Sequence, residues 1–284
     1  MKDGVPIRVT LFGEPGRTIL LVHGLASNGR LWWPVARLLS PYFRVAVPDL
    51  RGHGASGGQG GPLGIELATD DLFRCAEELS LEVVAVAGQS WGAAVAACFA
   101  RRHPSGIELV AMVDGVLERL RDRFGTKDAM LQALTPPDVA GTSWESLGAR
   151  LGERYRGFPE GAVEAALGSF LRGRGGEAVR SLPLPDHLRI LSDLFEFDMV
   201  ACAGGIEARL LIIAALSGNL AEDRRKLEAS RCLIDGAARG SQLLGTVADH
   251  DVHLQMPGVV GAQLLAALCS GEAGLIPADP NATL

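Results

Sequence analysis

The chain has 284 residues, of which 48% are hydrophobic, and its formal net charge at pH 7 is −6. This size suits one α/β domain with an inserted subdomain better than two equal domains, and the apolar content is ample for a core. Lysine and arginine are scattered along the chain and form no basic stripe, which argues against nucleic acid or a membrane surface as a partner and favours a small apolar or neutral substrate.

Residues 1–6 lack the charged and apolar regions of a secretory signal, and no apolar run reaches transmembrane length, so we expect a cytoplasmic protein. The five cysteines include no C-x-x-C pair, and their odd number leaves one over in any disulfide scheme, which favours reduced thiols. Neither cysteines nor histidines show a metal-ligand spacing such as H-E-x-x-H, and we expect no metal and no cofactor.

Short β-branched runs alternate with helical patterns along most of the chain, which predicts an α/β fold with a mostly parallel sheet and helices on both faces. The predicted strands are residues 7–12, 18–22, 43–47, 83–87, 109–113, 209–214 and 241–247. Apolar residues at helical spacing predict helices at 31–39, 68–79, 91–102, 221–232 and 258–269. The glycine-rich run 52–64 is a predicted loop and not a phosphate cradle, because no Lys-Ser or Lys-Thr follows its glycines.

The alternation stops between residues 114 and 209, where the pattern is almost wholly helical, with predicted helices at 117–123, 144–154, 161–171 and 187–195. A simple crossover between parallel strands needs only about a dozen residues. The longer segment therefore predicts a lid that covers the carboxyl edge of the sheet and excludes water. The expected domains are a core at 1–115, a helical cap at 116–206 and the second part of the core at 207–284.

A G-x-S-x-G pattern at residues 88–92 places Ser90 between an apolar predicted strand and a predicted helix of small residues. In this context the serine lies on a sharp turn that exposes its hydroxyl above the sheet. Ser90 is therefore the candidate nucleophile. The alternative is a chance loop in a chain with 36 glycines, but such a loop needs neither the strand before it nor the helix after it.

Four motifs occur in the order typical of the α/β-hydrolase superfamily, which this chain resembles. They are His23-Gly24-Leu25, the D-L-R-G-H-G-A-S run at 49–56, the turn at Ser90, and Asp249-His250. Together with their flanking elements they span residues 18 to 265. The resemblance implies an α/β-hydrolase fold with an inserted cap, and a site in which a base and an acid activate the serine.

Acyl transfer through serine needs a base that takes its proton. The resemblance favours His250, which follows the last predicted strand, while His253 in the same loop is the alternative base or a brace for the loop. The remaining histidines are expected to be either hydrogen-bonded within the fold or exposed to solvent, and they are His23, His53, His103 and His187.

The third member of the site departs from the commonest family pattern. Many relatives place an aspartate just after the strand at 209–214, but here residues 215–219 carry no carboxylate. Asp114 ends the strand at 109–113, a position from which some superfamily members take their acid, and we expect it to orient His250. The alternatives are that Glu222 or Asp223 is the acid and that Asp114 only begins a strand-end turn.

The resemblance also assigns an oxyanion hole to the backbone N–H groups of Leu25 and Trp91. We therefore expect a cofactor-free, carboxylesterase-like serine hydrolase of an ester, lactone or related acyl compound. An aspartate nucleophile, as in epoxide hydrolases and haloalkane dehalogenases, is disfavoured by Ser90. Other chemistry on the same fold, namely C–C bond hydrolysis, perhydrolysis or a cyclase-like biosynthetic step, stays open. So does a slow or non-catalytic receptor for a small ligand.

Overall fold

The centre of the computed structural model, which describes residues 4–238 and 240–269, is a sheet of seven strands. With two further short strands, the strands are β1 (Val9–Phe12), β2 (Arg17–Val22), β3 (Arg44–Pro48), β4 (Glu82–Gln89), β5 (Leu109–Val113), β6 (Phe170–Arg172), β7 (Ala178–Arg180), β8 (Arg209–Leu216) and β9 (Gln242–Val247). The sheet order is β1-β3-β2-β4-β5-β8-β9, and only the edge strand β1 runs antiparallel to its neighbour. The predicted mostly parallel sheet is confirmed.

Helices occupy the connections between strands. They are α1 (Trp33–Leu39), α2 (Ile65–Glu78), α3 (Trp91–Arg102), α4 (Leu120–Phe124), α5 (Lys127–Leu134), α6 (Trp144–Arg154), α7 (Ala162–Leu167), α8 (Leu184–Glu196), α9 (Met199–Ala203), α10 (Leu220–Asp235), α11 (Val252–Gln255) and α12 (Pro257–Cys269). None of those within the described residues combines the length and the apolar composition needed to cross a lipid bilayer.

Both faces of the sheet are buried, which explains why its strands are nearly continuous apolar runs. Along β2, Leu20 and Val22 point into a core shared with α2 and α3, while Ile19 and Leu21 point into a second core shared with α1 and α12. The sheet is therefore the middle of three layers. In open α/β sheets, ligands bind in the crevice beyond the carboxyl ends of the strands, so we expect a functional site at the carboxyl edge of this sheet.

The segment between β5 and β8 is mostly helical, but the expectation of an almost wholly helical segment was wrong in one place. The helix predicted at 161–171 ends at Leu167, and β6 and β7 form an antiparallel hairpin. Gly168 follows the last helical residue, and a glycine-rich turn closes the hairpin, in which the Gly173 N–H donates to the Glu177 carbonyl at 2.8 Å. Glycine thus interrupts the helical periodicity. Helix α5 was not predicted.

Helix α8 of this segment is tied to the core by two carboxylates. Asp186 accepts a hydrogen bond from the backbone N–H of Gly60 at 2.7 Å, and Asp193 accepts one from Ile65 at 2.8 Å. Ile65 is the first residue of α2, so Asp193 satisfies a free N–H at that helix start. The predicted start of α2 at residue 68 was too late, because the cap comes from a distant part of the chain.

Candidate active site

Ser90 lies between the end of β4 and the start of α3, on a turn with a strained backbone. Its φ of 54° is in the left-handed region, which side chains other than glycine rarely adopt, and its ψ is −122°. The Ser90 N–H donates to the carbonyl of Val113 at 3.1 Å, which ties the turn to β5. The sharp strand-to-helix turn expected at this position is present, and strain of this kind is typical of functional sites.

The glycines on either side of Ser90 permit close backbone packing. A Cβ added at Gly92 would lie 2.5 Å from the carbonyl oxygens of Val22 and His23, and a Cβ at Gly88 would collide with the backbone of Gly92. Helix α3 therefore begins directly against β2. Any larger residue at these positions would displace the turn that carries Ser90.

Asp114 and His250 are joined by a hydrogen bond at the carboxyl edge of the sheet. The Nδ1 of His250 lies 2.5 Å from Oδ2 of Asp114. Asp114 follows β5 directly and is 5% exposed, and its backbone N–H donates to Ile213 in β8 at 2.7 Å. With Nδ1 as the donor, the Nε2 of His250 is left as the acceptor, which is the tautomer that a general base requires.

Lys226 in α10 also contacts Asp114, and the sequence did not indicate it. Its Nζ lies 3.0 Å and 3.2 Å from the two carboxylate oxygens and donates to the Ala215 carbonyl at 2.9 Å. The backbone N–H of Ala215 donates to Asp114 Oδ1 at 3.1 Å. Lys226 is 112 positions from Asp114 in the chain, so no local pattern could have revealed the contact.

These contacts shift the pKa of Asp114 and the pKa of His250. Burial raises the pKa of Asp114, but the hydrogen bond from His250 and the positive charges of His250 and Lys226 outweigh it, and the pKa is lowered overall. Removal from water lowers the pKa of His250, but its hydrogen bond to Asp114 and the charges of Asp114 and Asp251 outweigh that effect and raise it. The pair is therefore built to hold an ionised carboxylate beside an imidazole that accepts a proton readily.

The two other candidate acids lie elsewhere. Asp223 accepts hydrogen bonds from the backbone N–H groups of Ser217 at 2.8 Å and Gly218 at 2.9 Å, so it caps the turn after β8. Glu222 lies in the wall of the cavity beside Ser90, but it is not a hydrogen-bond partner of His250. The observed contacts favour Asp114.

Ser90, Asp114 and His250 line one cavity of about 280 Å³. Its other lining residues include Leu25 and Trp91 from the core, and side chains of α4, α8 and α10. Ser90 and His250 also line a neighbouring cavity beside Tyr155. Among the hydrogen bonds of the described residues, none joins the Ser90 hydroxyl to the His250 ring, so the transfer of a proton between them stays a prediction.

The loop that carries Leu25 is held against Ser90 by two buried histidines. Nε2 of His53 accepts a hydrogen bond from the Ala26 N–H at 3.1 Å, and Nε2 of His23 accepts one from the Leu50 N–H at 2.9 Å. The Nδ1 of His53 lies 2.9 Å from the Arg51 carbonyl, and the Nδ1 of His23 lies 2.8 Å from the Gly24 carbonyl. The loops after β2 and β3 are thus cross-linked by two neutral imidazoles, and Ala26 is held at a φ of 55°.

The two backbone groups expected to form an oxyanion hole flank the same serine. A Cβ added at Gly24, next to Leu25, would lie 3.1 Å from the Cβ of Ser90. Trp91 is the first residue of α3, and the first N–H groups of a helix have no acceptor within the helix. Both residues therefore lie beside the turn, and the donation of their N–H groups to an oxyanion stays a prediction.

The loop of His250 is fixed by contacts on both sides. The Gln89 side chain donates to the His250 carbonyl at 3.1 Å, and the Tyr155 hydroxyl donates to Asp251 at 2.9 Å. Asp249 faces Arg154 of α6 at 3.4 Å, away from the Asp114 contact. His253 is fully buried in α11, and its ring lies 4.4 Å from that of Trp32, so it packs as a brace for the loop.

The other histidines divide into three kinds. His23 and His53 are hydrogen-bonded within the fold, as expected, and His103 stacks on Phe73 with ring centroids 3.7 Å apart. For His187 the expectation was wrong, because its side chain is buried and neither ring nitrogen has a hydrogen-bond partner. No cluster of three or more His, Cys, Asp or Glu side chains that could hold a metal ion occurs in residues 4–238 and 240–269.

Comparison with known families agrees with this fold. A family profile described as "alpha/beta hydrolase fold" matches residues 17–172, which is more than half of the chain. Among curated proteins, (E)-2-((N-methylformamido)methylene)succinate hydrolase of Acinetobacter baylyi is 26% identical over 120 residues, covering 42% of this chain and 43% of that protein. Lipase LipV of Mycobacterium tuberculosis is 31% identical over 111 residues, covering 39% of this chain and 42% of that protein. The matched segments thus span less than half the length of these relatives.

Solved structures match over nearly the whole chain. E-2-(acetamidomethylene)succinate hydrolase superposes with a TM-score of 0.75 and 19% identity, covering 94% of this chain and 96% of that one. The thioesterase domain from the curacin biosynthetic pathway superposes with a TM-score of 0.74 and 20% identity, covering 93% and 97%. At these identities the likeness shows a shared fold.

We expect the protein to lose stability as the pH falls from about 6.5 towards 4. Burial lowers the pKa of His23 to about 4 and that of His53 to about 3. In this window the unfolded chain binds protons that the folded rings exclude, so the free energy of unfolding should fall by about 1.4 kcal/mol per pH unit for each such ring. Urea unfolding between pH 7.5 and 4.5 measures this, with His53→Gln as the control whose slope should be shallower. A free energy of unfolding that stays constant from pH 7 to 5 would contradict the neutral state of these rings.

We expect Lys226→Met to raise the pKa of His250 further, because the ammonium group opposes a second positive charge nearby. NMR titration of the His250 ring resonances measures the pKa directly. Lys226→Arg is the matched control, since it keeps the charge and should leave the value close to that of the wild type. An unchanged pKa in Lys226→Met would show that the lysine does not act on the pair.

Proposed function

This chain belongs to the α/β-hydrolase fold family, and we propose that it is a serine hydrolase that cleaves carboxylic esters, lactones or related acyl compounds. The observation that carries the proposal is the 2.5 Å hydrogen bond between His250 and Asp114 in the wall of the cavity that Ser90 also lines. It supplies an oriented base on the same cavity as a partly buried serine on a strained turn, which is the arrangement that nucleophilic catalysis requires.

In the proposed reaction, Ser90 Oγ attacks the carbonyl carbon of the substrate while Nε2 of His250 takes the hydroxyl proton. Asp114 keeps His250 in the required tautomer and stabilises the imidazolium that forms. The N–H groups of Leu25 and Trp91 donate to the oxyanion of the tetrahedral intermediate. The intermediate collapses when His250 gives its proton to the leaving oxygen. Water, deprotonated by His250, then attacks the acyl carbon. The bond between that carbon and Ser90 Oγ breaks, and His250 returns the proton to Oγ as the acid leaves.

We also propose that the segment 116–206 acts as a lid that shapes the acyl pocket. Helix α8 supplies His187, Leu191 and Leu194 to the wall of the cavity, and α4 supplies Leu120. The ties from Asp186 and Asp193 to the core hold α8 over the carboxyl edge of the sheet. The side chain of His250 is still 49% exposed, so the lid covers the site only in part. Exclusion of water by a bound substrate would lower the local dielectric further and strengthen the interaction between the ionic groups of the site.

The nucleophile is tested with a fluorophosphonate probe followed by peptide mass mapping. We expect one label at Ser90, because only an activated serine reacts at an appreciable rate, and we expect Ser90→Ala to lose the label and the turnover of p-nitrophenyl acetate by about 10⁴-fold or more. Ser105→Ala, an exposed serine in the loop after α3, is the matched control and should keep both. Active, folded protein that carries no label on Ser90 would overturn the proposal.

The acid is tested by Asp114→Asn, which keeps the size of the side chain but removes its charge. We expect kcat for p-nitrophenyl acetate to fall by up to about 10⁴. Because Asp114 raises the pKa of His250, the acid limb of the kcat/KM profile of the variant should move to lower pH. Glu222→Gln and Asp223→Asn should change kcat far less. Equal, small effects in all three variants would contradict Asp114 as the acid and would favour another residue of the loop after β8 in that role.

A further inference from the structure

His187 is a buried polar group without a partner in the wall of the proposed catalytic cavity. Its side chain is only 6% exposed, and both ring nitrogens lack a hydrogen bond. The Leu134 carbonyl at the end of α5 is near enough to favour the protonated ring, but the geometry of a hydrogen bond is not reached. Buried polar atoms nearly always have a partner. The ring nitrogens of His253 also lack one, but of these two rings only His187 lines the cavity, where a ligand group can be the partner.

The position of this ring is imposed by the core. His187 lies in the first turn of α8, and its backbone N–H donates to the carbonyl of Pro183 at 3.0 Å. The preceding residue, Asp186, is bound to Gly60 in the glycine-rich loop, and Asp193 is bound to the start of α2. The ring is therefore held in the cavity wall by contacts outside the cavity, which is the preorganisation expected of a binding group.

The cavity that His187 lines has a mostly apolar wall. Its apolar side chains include Leu25, Leu117, Leu120, Leu134, Leu191 and Leu194, and its charged side chains include Arg123 and Glu222 in addition to two ion pairs. Two of the cations in the wall already have anionic partners, Lys226 with Asp114 and Arg225 with Glu118. Burial lowers the pKa of His187 to about 4, so the ring is neutral at pH 7. A neutral imidazole donates one hydrogen bond and accepts one, which suits an uncharged oxygen better than a carboxylate.

We propose that His187 forms the polar end of an acyl-binding subsite and donates a hydrogen bond to a ketone or hydroxyl oxygen on an otherwise apolar acyl chain attacked by Ser90. The proposed substrates are therefore esters of oxo or hydroxy acids. This inference rests on the proposed function of Ser90. His187 is a specificity residue in this scheme, because it touches the distal part of the substrate and takes no part in the transfer of the acyl group.

The test compares p-nitrophenyl hexanoate with its 4-oxo and 5-oxo analogues as substrates of the wild type and of His187→Phe. Phenylalanine keeps a planar ring and removes both nitrogens. We expect the wild type to favour at least one oxo ester by about tenfold in kcat/KM, and His187→Phe to lose that preference because kcat/KM falls more for the oxo ester than for the alkyl ester. His103→Phe, which lies outside the cavity, is the matched control and should keep the preference.

Equal loss on all three esters in folded His187→Phe would overturn the subsite, and so would a wild type without any preference. Binding to Ser90→Ala separates the subsite from the chemistry. Calorimetry with methyl hexanoate and methyl 5-oxohexanoate or methyl 4-oxohexanoate should show tighter binding of an oxo ester, and the double variant Ser90→Ala/His187→Phe should lose the difference. Selective binding with no wild-type turnover would support the subsite and overturn the hydrolase. A protein that shows no turnover and no selective binding would overturn both the subsite and the hydrolase.

Discussion

The hydrogen bond between Asp114 and His250 is the contact on which the arrangement of this site depends. It joins two side chains 136 positions apart, and it exists because β5, β8 and β9 are neighbours in the sheet. A carboxylate buried to this degree would be costly to ionise in isolation. Lys226 and the Ala215 N–H reduce that cost, because each places a hydrogen-bond donor on the oxygens of Asp114. The ionised state of Asp114 and the raised pKa of His250 thus both follow from the contacts that Asp114 makes at the ends of β5 and β8.

A second constraint is the strained turn at Ser90. A positive φ at a residue with a side chain persists only when the surrounding structure imposes it. Here the hydrogen bond to Val113, the close approach of Gly92 to β2 and the loop held by His53 all act on the same few residues. The buried histidines of the H-G and R-G-H-G motifs therefore serve the site indirectly. On folding, these imidazoles lose their hydrogen bonds to water and form hydrogen bonds to the backbone instead. Those bonds hold the loop of Leu25 beside the serine.

The shared fold and the proposed specificity of the protein depend on different parts of the chain. Structures that share less than 25% identity with this chain have the same fold over more than nine-tenths of its length. Such likeness at low identity is expected, because the apolar side chains of the strands can be replaced by others of similar total volume without loss of the fold. The segment between β5 and β8 supplies part of the cavity wall, including the unpaired ring of His187, which is the group that we propose distinguishes one acyl chain from another.

The sequence by itself determined the parallel sheet and the turn at Ser90, because strand periodicity and glycine spacing are local signals. The candidates His250 and Asp114 came from the resemblance of the ordered motifs to the α/β-hydrolase superfamily. Local signals did not reveal Lys226, the cap that Asp193 provides to α2, or the unpaired state of His187, and they mistook β6 for the end of a helix. Each of these depends on which distant segment lies opposite a given side chain. Only the tertiary structure decided them, because hydrogen bonds and desolvation are set by neighbours in space.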